Sequence, residues 1–289
     1  MLIEEAFHVY SRFSEISEKT RANAESMYKV HIAPYWHEKD LLSITSRDVE
    51  SWMLFMAKEK KLAYATINVI LTKFLTILRK CIQYEFLDIK CPAVKYLPCD
   101  PKRYRFLSYE EAELLLAGLA SRSPLWHDIA LLSLNTGMRL TEIRSMRGEN
   151  FDEMNKKVIL FTTKTHKQRL IPLNETALDV LQKNYKGRSL YIFESPKNSK
   201  TGMLSHRHVT FDSVVNEIGL NKDIRDRRWH VCFHTLRHTF ASWLVQKGVD
   251  LKVVSSLLGH STIHMTERYA HIAGSQEQEA VSLLPRLKN

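Results

Sequence analysis

The distribution of glycine divides this chain into two unlike parts. All nine glycines lie between Gly118 and Gly274, and none precedes Gly118. The glycine-free part is rich in Leu, Ile, Ala, Lys and Glu, which predicts a helical bundle. We expect helices over residues 3–13, 20–32, 46–60 and 63–86. The last of these carries the apolar stripe of a core-facing helix, at Ile67, Ile70, Leu71, Phe74, Leu75, Leu78 and Ile82.

Length and hydropathy restrict the class of protein. A chain of 289 residues fits two domains of about 100–200 residues each. The 44% of hydrophobic residues and the mean hydropathy of −0.27 argue against a disordered chain and against a membrane bundle. The opening residues, MLIEEAFHVY, carry acidic side chains where a signal peptide carries basic ones. We therefore expect a cytoplasmic protein without a membrane-spanning segment.

The chain is basic and poor in cysteine. A formal net charge of +10 and a pI near 9.3 predict a polyanionic partner, although basicity can also serve solubility alone. The four cysteines form no CxxC pair, so we expect free thiols rather than a zinc ribbon or a redox motif.

A proline-rich basic segment separates the two parts. Pro98 and Pro101 interrupt any helix there. The basic side chains of the segment are Lys102, Arg103 and Arg105. We expect an all-helical domain over residues 1–97, a linker over 98–106 and a second domain over 107–289.

The second domain mixes helices with a small sheet. Strands predicted over 158–162 and 169–173 form an antiparallel hairpin, whose turn carries Lys164, His166 and Lys167. We expect helices over 124–136, 174–186, 205–218, 234–247 and 251–258, and a third short strand over 191–193. A last helix is predicted to begin at residue 261 or 262 and to carry Tyr269. The predicted fold class is mainly α with a small antiparallel β-sheet.

Two short motifs place basic side chains near helix starts. In HTLRH, His234 and Arg237 are three residues apart and share one helix face, where they can bind one anion or form ordinary surface ion pairs. In TGMRLTEI, Arg139 falls at the first turn of a helix, where free backbone N–H groups also attract phosphate. Glu142 can orient a neighbouring base, cap the helix or form a salt bridge with Arg139.

The C-terminal part adds His260 in LLGH and Tyr269 in ERYAHI. A phenol is a poor nucleophile unless cations stabilise its oxyanion, and most tyrosines are packing residues. A metal site at His260, His264 and His271 is disfavoured because the HExxH motif is absent and the helix restarts between the first two.

Together these residues resemble the tyrosine recombinases, the phage integrase and Xer family, in order and spacing. The resemblance rests on Arg139, Lys164, His234, Arg237, His260 and Tyr269, and extends over about residues 107–272. It implies an integrase-type catalytic domain of mixed α/β structure. The helical first part resembles the all-α, SAM-like core-binding domain of that family.

The resemblance implies a role for each of these side chains. Tyr269 would attack a DNA phosphate and form a 3′-phosphotyrosine, and the recombination would pass through a Holliday junction. Arg139 and Arg237 would bind the phosphate oxygens, Lys164 would protonate the leaving 5′-oxygen, and His234 would shuttle the tyrosine proton or brace the phosphate. His260 would add a hydrogen bond and Glu142 would orient the cluster. No metal, ATP or other cofactor is implied.

The implied partners are double-stranded DNA and further recombinase subunits. Candidate DNA contacts are Lys102, Arg103, Arg105, His166, Lys167, Asn68 and Lys73. Four copies, or copies of a related recombinase, would assemble on DNA, with the tail over residues 270–289 docked on the neighbour or folded onto its own domain. Such a protein would be associated with the nucleoid.

Two other functions stay open at this point. A type IB topoisomerase uses a similar phosphotyrosine to relax DNA, and a DNA-binding regulator could retain the cluster without turnover. The few residues before the second helix predict the two-domain layout without an extra arm-binding domain. Integration, excision, inversion and dimer resolution are equally compatible with the sequence, as is any target site.

Overall fold

The chain forms two compact units. The computed structural model describes residues 1–85, 87–100, 105–161, 168–185, 187, 190–195, 202–204, 208–273, 281–282 and 284–285. Contacts divide the chain into Met1–Lys102 and Arg103–Asn289, and each unit has a hydrophobic core of its own. Within the described ranges, no helix combines the length and the apolar character needed to cross a bilayer.

The first unit is helical. Its α-helices are α1 (Ile3–Phe13), α2 (Glu18–Met27), α3 (Ala33–Trp36), α4 (Ser46–Lys58) and α5 (Tyr64–Tyr84). The helices predicted over 3–13, 46–60 and 63–86 are confirmed to within a turn. The helix predicted over 20–32 is longer than expected, because α2 continues through a π-helical turn, Tyr28–Ile32, into α3.

Aromatic side chains fill the core of this unit. Trp36 stacks on Phe74 with ring centroids 5.0 Å apart, and Trp52 meets both rings edge-on at 5.6 and 5.0 Å. The buried stripe of α5 lies against this cluster, as its apolar spacing predicts.

The second unit surrounds a buried helix. Its α-helices are α6 (Tyr109–Arg122), α7 (Pro124–Thr136), α8 (Leu140–Arg144), α9 (Glu175–Asn184), α10 (Val209–Glu217), α11 (Phe233–Gln246) and α12 (Leu251–Leu258). α11 packs against α7, against α12 and against the 3₁₀ helix that carries Tyr269. Most of its side chains are buried, polar ones included, so α11 can hold functional groups inside the unit.

A three-stranded antiparallel sheet lies in the same unit. Its strands are β1 (Phe151–Asp152), β2 (Lys157–Phe161) and β3 (Gln168–Pro172), in the order β1-β2-β3. In the hairpin, Ile159 pairs with Leu170, which confirms the predicted antiparallel partners. The turn between β2 and β3, with Lys164, His166 and Lys167, lies outside the described residues.

The strand predicted over 191–193 is wrong. Phe193 is fully buried, but the backbone N–H of Ile192 donates to Met146 O and so does not join a ladder. The nearest strand-like contact is an isolated bridge between Glu194 and Met203. β1 is the third strand instead.

The last predicted helix is also wrong in type. Two 3₁₀ helices, Ile263–Met265 and Glu267–Ala273, occupy this part, and we call the second the tyrosine segment. The N–H of Thr266 donates to Ile263 O, and that of Tyr269 to Thr266 O. The tight turns let the fully buried Thr266 side chain face His260.

Candidate active site

Arg237 is the buried cation at the centre of the candidate site. Its side chain on α11 is 2% exposed and donates to Gly137 O and to Leu258 O, both at 2.7 Å. These carbonyls lie at the ends of α7 and α12, where backbone acceptors have no helical partner. Burial, aided by Arg139 and Arg169, lowers the pKa of Arg237 to about 9, so it stays charged at neutral pH.

Arg139 lies at the edge of the same site. It is the N-cap residue of α8, as the motif predicts, and its side chain is 37% exposed. Glu142 accepts from the Arg139 backbone N–H at 2.8 Å and from its Nη1 at 2.9 Å. The salt bridge that the sequence offers as an alternative therefore forms, and it holds the guanidinium in place.

Arg169 is a site residue that the sequence interpretation missed. From β3 its Nη1 donates to Glu142 at 3.2 Å and to Leu258 O at 2.8 Å, and only 11% of its side chain is exposed. Burial lowers the pKa of Arg169 and Glu142 opposes that shift. The alternation of side chains along β3 could have indicated this position, because Arg169 lies on the same strand face as the buried Ile171.

His260 follows the left-handed Gly259 that ends α12. Its Nδ1 lies 2.7 Å from Thr266 Oγ1, on the tight turn before the tyrosine segment. Burial, with Arg237 and Arg139 nearby, lowers the pKa of His260 to about 4. The imidazole is therefore neutral at neutral pH and can donate one N–H to an anion.

Tyr269 is buried although its predicted role is chemical. It is 5% exposed, and its hydroxyl lies 2.6 Å from Nδ1 of His238. Burial raises its pKa to about 12, while Arg268 and Arg237 act in the opposite direction. The phenol is therefore protonated at neutral pH. His238 was missed by the sequence interpretation, although it directly follows Arg237 in HTLRH.

These side chains line one pocket. Its volume is about 210 Å³, and its walls are Arg139, His234, Arg237, His238, His260, Met265, Arg268 and Tyr269. Five of the six predicted catalytic residues therefore meet, and His234 is exposed at the rim. The sixth, Lys164, lies outside the described residues.

The candidate DNA contacts in the first unit have intramolecular partners. The Asn68 amide donates to Leu97 O at 2.8 Å and accepts from Leu97 N at 2.9 Å, which fixes the chain after α5. Lys73 donates to the Tyr10 hydroxyl at 3.1 Å. These two side chains already have hydrogen-bond partners within the unit, and their binding to DNA stays a prediction.

Of the remaining candidate DNA contacts, one has an intramolecular partner and four lie outside the described residues. Arg105 is paired with Glu111 and is 21% exposed. Lys102 and Arg103, like His166 and Lys167, lie outside the described residues. His264 is paired with Glu267 at 2.9 Å rather than directed at His260, and the described part of the chain holds no group of three side chains arranged for a metal.

Comparison with known proteins gives one consistent family. The sequence profile of the Phage integrase family matches residues 105–276. The chain is 25% identical to tyrosine recombinase XerA of Pyrococcus horikoshii over 94% of its own length and 90% of that protein. It is 28% identical to tyrosine recombinase XerD of Pasteurella multocida, over 89% and 90% of the two chains.

Solved structures share the fold. The Tn1549 transposon integrase in complex with transposon right end DNA superposes with a TM-score of 0.78 at 21% identity, over 98% of this chain and 100% of that one. A lambda integrase dimer bound to a core site gives 0.71 at 20% identity, over 92% and 97%. The mainly α fold with a small antiparallel sheet is thus an integrase fold. The matches favour recombination over a topoisomerase or a regulator, and the chain belongs to the phage integrase family, as a tyrosine-type site-specific DNA recombinase.

Proposed function

We propose that Tyr269 cuts and rejoins DNA strands at the pocket described above. Its phenolic oxygen attacks the phosphorus, the 5′-oxygen leaves, and a 3′-phosphotyrosine joins protein to DNA. One phosphate ester replaces another, so the cut strand can be rejoined to a second site through a Holliday junction without an energy source. The observation that carries this proposal is a single phenol on a pocket lined by Arg139, Arg237 and His260.

The arginines supply the positive charge for this reaction. The transition state places extra negative charge on the non-bridging oxygens, and preorganised donors in a partly dry pocket stabilise it strongly. Arg237 is fixed by two carbonyls, which use only part of the donors of its guanidinium, and Arg139 is fixed by Glu142. Neither side chain has to reorganise before it binds a phosphate.

The imidazoles and Lys164 complete the proposed site. His260, neutral at neutral pH, donates a hydrogen bond to a phosphate oxygen, and His234 braces the phosphate from the rim. Lys164 protonates the 5′-oxygen as it leaves, since an ammonium group can act as a general acid.

DNA and further subunits are the proposed partners. A core-binding domain over 1–97 and a catalytic domain over 107–289 hold the duplex, and the linker over 98–106 meets its phosphates through Lys102, Arg103 and Arg105. The tail over 270–289 docks on a neighbouring copy in a tetramer. A lambda integrase tetramer bound to a Holliday junction, of similar fold, supports a tetramer on DNA. Such a reaction takes place in the cytoplasm, on the nucleoid.

Covalent trapping tests the nucleophile. Duplexes selected for binding from a random DNA library are converted to nicked suicide substrates, and adducts that survive denaturant are counted. Tyr269→Phe should abolish adducts while site binding stays nearly unchanged, because the phenyl ring keeps its packing. Tyr109→Phe, at a half-exposed tyrosine of the same unit, should react like the wild type. Adducts that persist in Tyr269→Phe would refute the assignment.

A modified leaving group tests Lys164. Lys164→Ala should slow cleavage far more than binding, because the 5′-oxygen then leaves without a proton. A 5′-phosphorothiolate needs no proton on its leaving sulfur, so the same variant should cleave that substrate at close to the wild-type rate. If Lys164→Ala still cleaved the 5′-phosphorothiolate substrate slowly, Lys164 would not be the general acid.

A further inference from the structure

His238 contacts the reacting atom of Tyr269, yet none of the roles above uses it. Its Nδ1 lies 2.6 Å from the phenolic oxygen, and the imidazole is 6% exposed. The contact joins α11 to the tyrosine segment. A buried hydroxyl at this distance from a ring nitrogen forms a strong hydrogen bond.

The position of His238 follows from α11. It is the residue after Arg237, so the backbone that fixes the buried guanidinium also fixes the imidazole. The ring centroid of His238 lies 5.9 Å from that of Tyr269. The ring of His234, one turn earlier on α11, is perpendicular to the ring of His238, with the two centroids 4.7 Å apart. His238 is bonded to the phenol.

The chemistry requires a proton acceptor at this place. A phenol whose pKa is raised to about 12 by burial does not ionise by itself at neutral pH. A neutral imidazole with its proton on Nε2 presents a lone pair at Nδ1 and can accept the phenolic proton.

We propose that His238 is a catalytic residue, the base that takes the Tyr269 proton during strand cleavage. As the Tyr269 oxygen bonds to phosphorus, its proton moves to Nδ1 of His238, the bond from phosphorus to the 5′-oxygen breaks, and that oxygen receives a proton from the general acid. Rejoining reverses each transfer. This inference rests on the proposed function of Tyr269, and it moves the proton-shuttle role from His234 to His238.

His238→Asn separates hydrogen bonding from proton transfer. The Asn amide oxygen can occupy nearly the place of Nδ1 and accept the phenolic hydrogen bond, but it cannot take the proton. In single-turnover cleavage of a suicide substrate at saturating DNA, we expect a rate about 10²–10³-fold below wild type. DNA affinity should stay nearly unchanged, since the hydrogen bond and the packing are kept. His264→Asn, at an exposed histidine paired with Glu267, serves as the matched control.

A change in phenol acidity gives a readout that a purely structural role would not move. With 3,5-difluorotyrosine at position 269, the phenol loses its proton more easily, so the gap in rate between His238→Asn and the parent chain should narrow. A gap that stays the same, or a His238→Asn variant that cleaves at the wild-type rate, would overturn the proposal.

A measurement on the unmodified protein covers the case in which His238→Asn does not fold. Nitrogen-15 spectra of the imidazoles should show the His238 proton on Nε2 and none on Nδ1. A proton on Nδ1 would make His238 a donor to the phenol and would overturn the proposal. Failure of the proposed function looks different, because the wild type would then form no adducts or Tyr269→Phe would keep them.

Discussion

At the scale of single residues, burial favours the neutral form of three side chains in the pocket, His260, Tyr269 and Arg237. It keeps His260 neutral and Tyr269 protonated, while Arg237 stays charged at neutral pH. Arg139 and Arg169 lie close enough to Arg237 to act on its charge, and Glu142 is paired with the first two. The pocket is therefore positive, which suits a phosphate that has to be bound before the phenol reacts.

The lowered pKa of His260 predicts a pH dependence of stability. Its folded value of about 4 is below the ordinary 6.5, so the unfolded chain binds more protons between these values and stability falls as pH falls through that window. His260→Asn removes this component. In urea unfolding, the free energy of unfolding should fall between pH 6.5 and pH 4.5 in both proteins. We expect this fall to be smaller in His260→Asn than in the wild type by about 1–2 kcal/mol, a value reduced for partial solvent screening. Equal losses in the two proteins would contradict the pKa shift.

Glu142 should matter through its charge. Glu142→Gln keeps the shape but leaves Arg139 and Arg169 without their shared carboxylate, which should lower the free energy of unfolding by about 1–3 kcal/mol and slow adduct formation. Glu217→Gln, at the exposed pair with Arg122, should cost about 0–1 kcal/mol and leave cleavage unchanged. Urea unfolding and suicide-substrate kinetics measure both. The interpretation fails if the two substitutions have the same effect.

At the scale of elements, the end of α12 connects the sheet to the site. Gly259 adopts φ +64°, and a Cβ at this position would overlap Cδ of Arg169. The next residue is His260, and Leu258 O accepts from both Arg169 and Arg237. This turn therefore fixes two groups of the pocket, Arg237 and His260, together with Arg169 beside them.

A comparison of two glycines with similar backbone conformations distinguishes the effect of backbone strain from the effect of contact with Arg169. Gly219 has φ +76°, and a Cβ there would meet only Lys222 Cβ at 3.8 Å. Gly219→Ala should therefore lower the free energy of unfolding by about 1 kcal/mol, because alanine adopts the left-handed conformation less readily than glycine. Gly259→Ala should cost about 2–4 kcal/mol and slow adduct formation, because Arg169 has to move as well. Thermal unfolding and suicide-substrate kinetics measure the two effects. If both substitutions lowered the free energy of unfolding equally, the contact between position 259 and Arg169 would have no effect on stability, contrary to this prediction.

Local signals predicted most helices but not the shortest elements. Asn174 caps α9, since its side chain accepts from the backbone N–H of Ala177. β1 has two residues, too few to show alternation, and its pairing with β2 depends on the turn between them. The tyrosine segment was mistaken for an α-helix because the contact of Thr266 with His260 is not visible in local periodicity.

At the scale of the whole molecule, the site is assembled from distant segments. Arg139, Arg237, His260 and Tyr269 were predicted because each lies in a motif whose order resembles one family. Arg169 and His238 were not, because their partners Leu258 and Tyr269 lie far along the chain and meet them only in the folded protein. Motif order thus identified the chemistry, whereas the contacts that tune it required the fold.

The most direct test of the central claim is the position of the covalent bond. Wild-type protein trapped on a suicide substrate is digested with protease and nuclease, and the peptide that retains a nucleotide is sequenced by mass spectrometry. We predict a nucleotide linked through its 3′-phosphate to Tyr269, in a peptide that contains ERYAHI. A nucleotide on any other residue, or linked through a 5′-phosphate, would contradict the account.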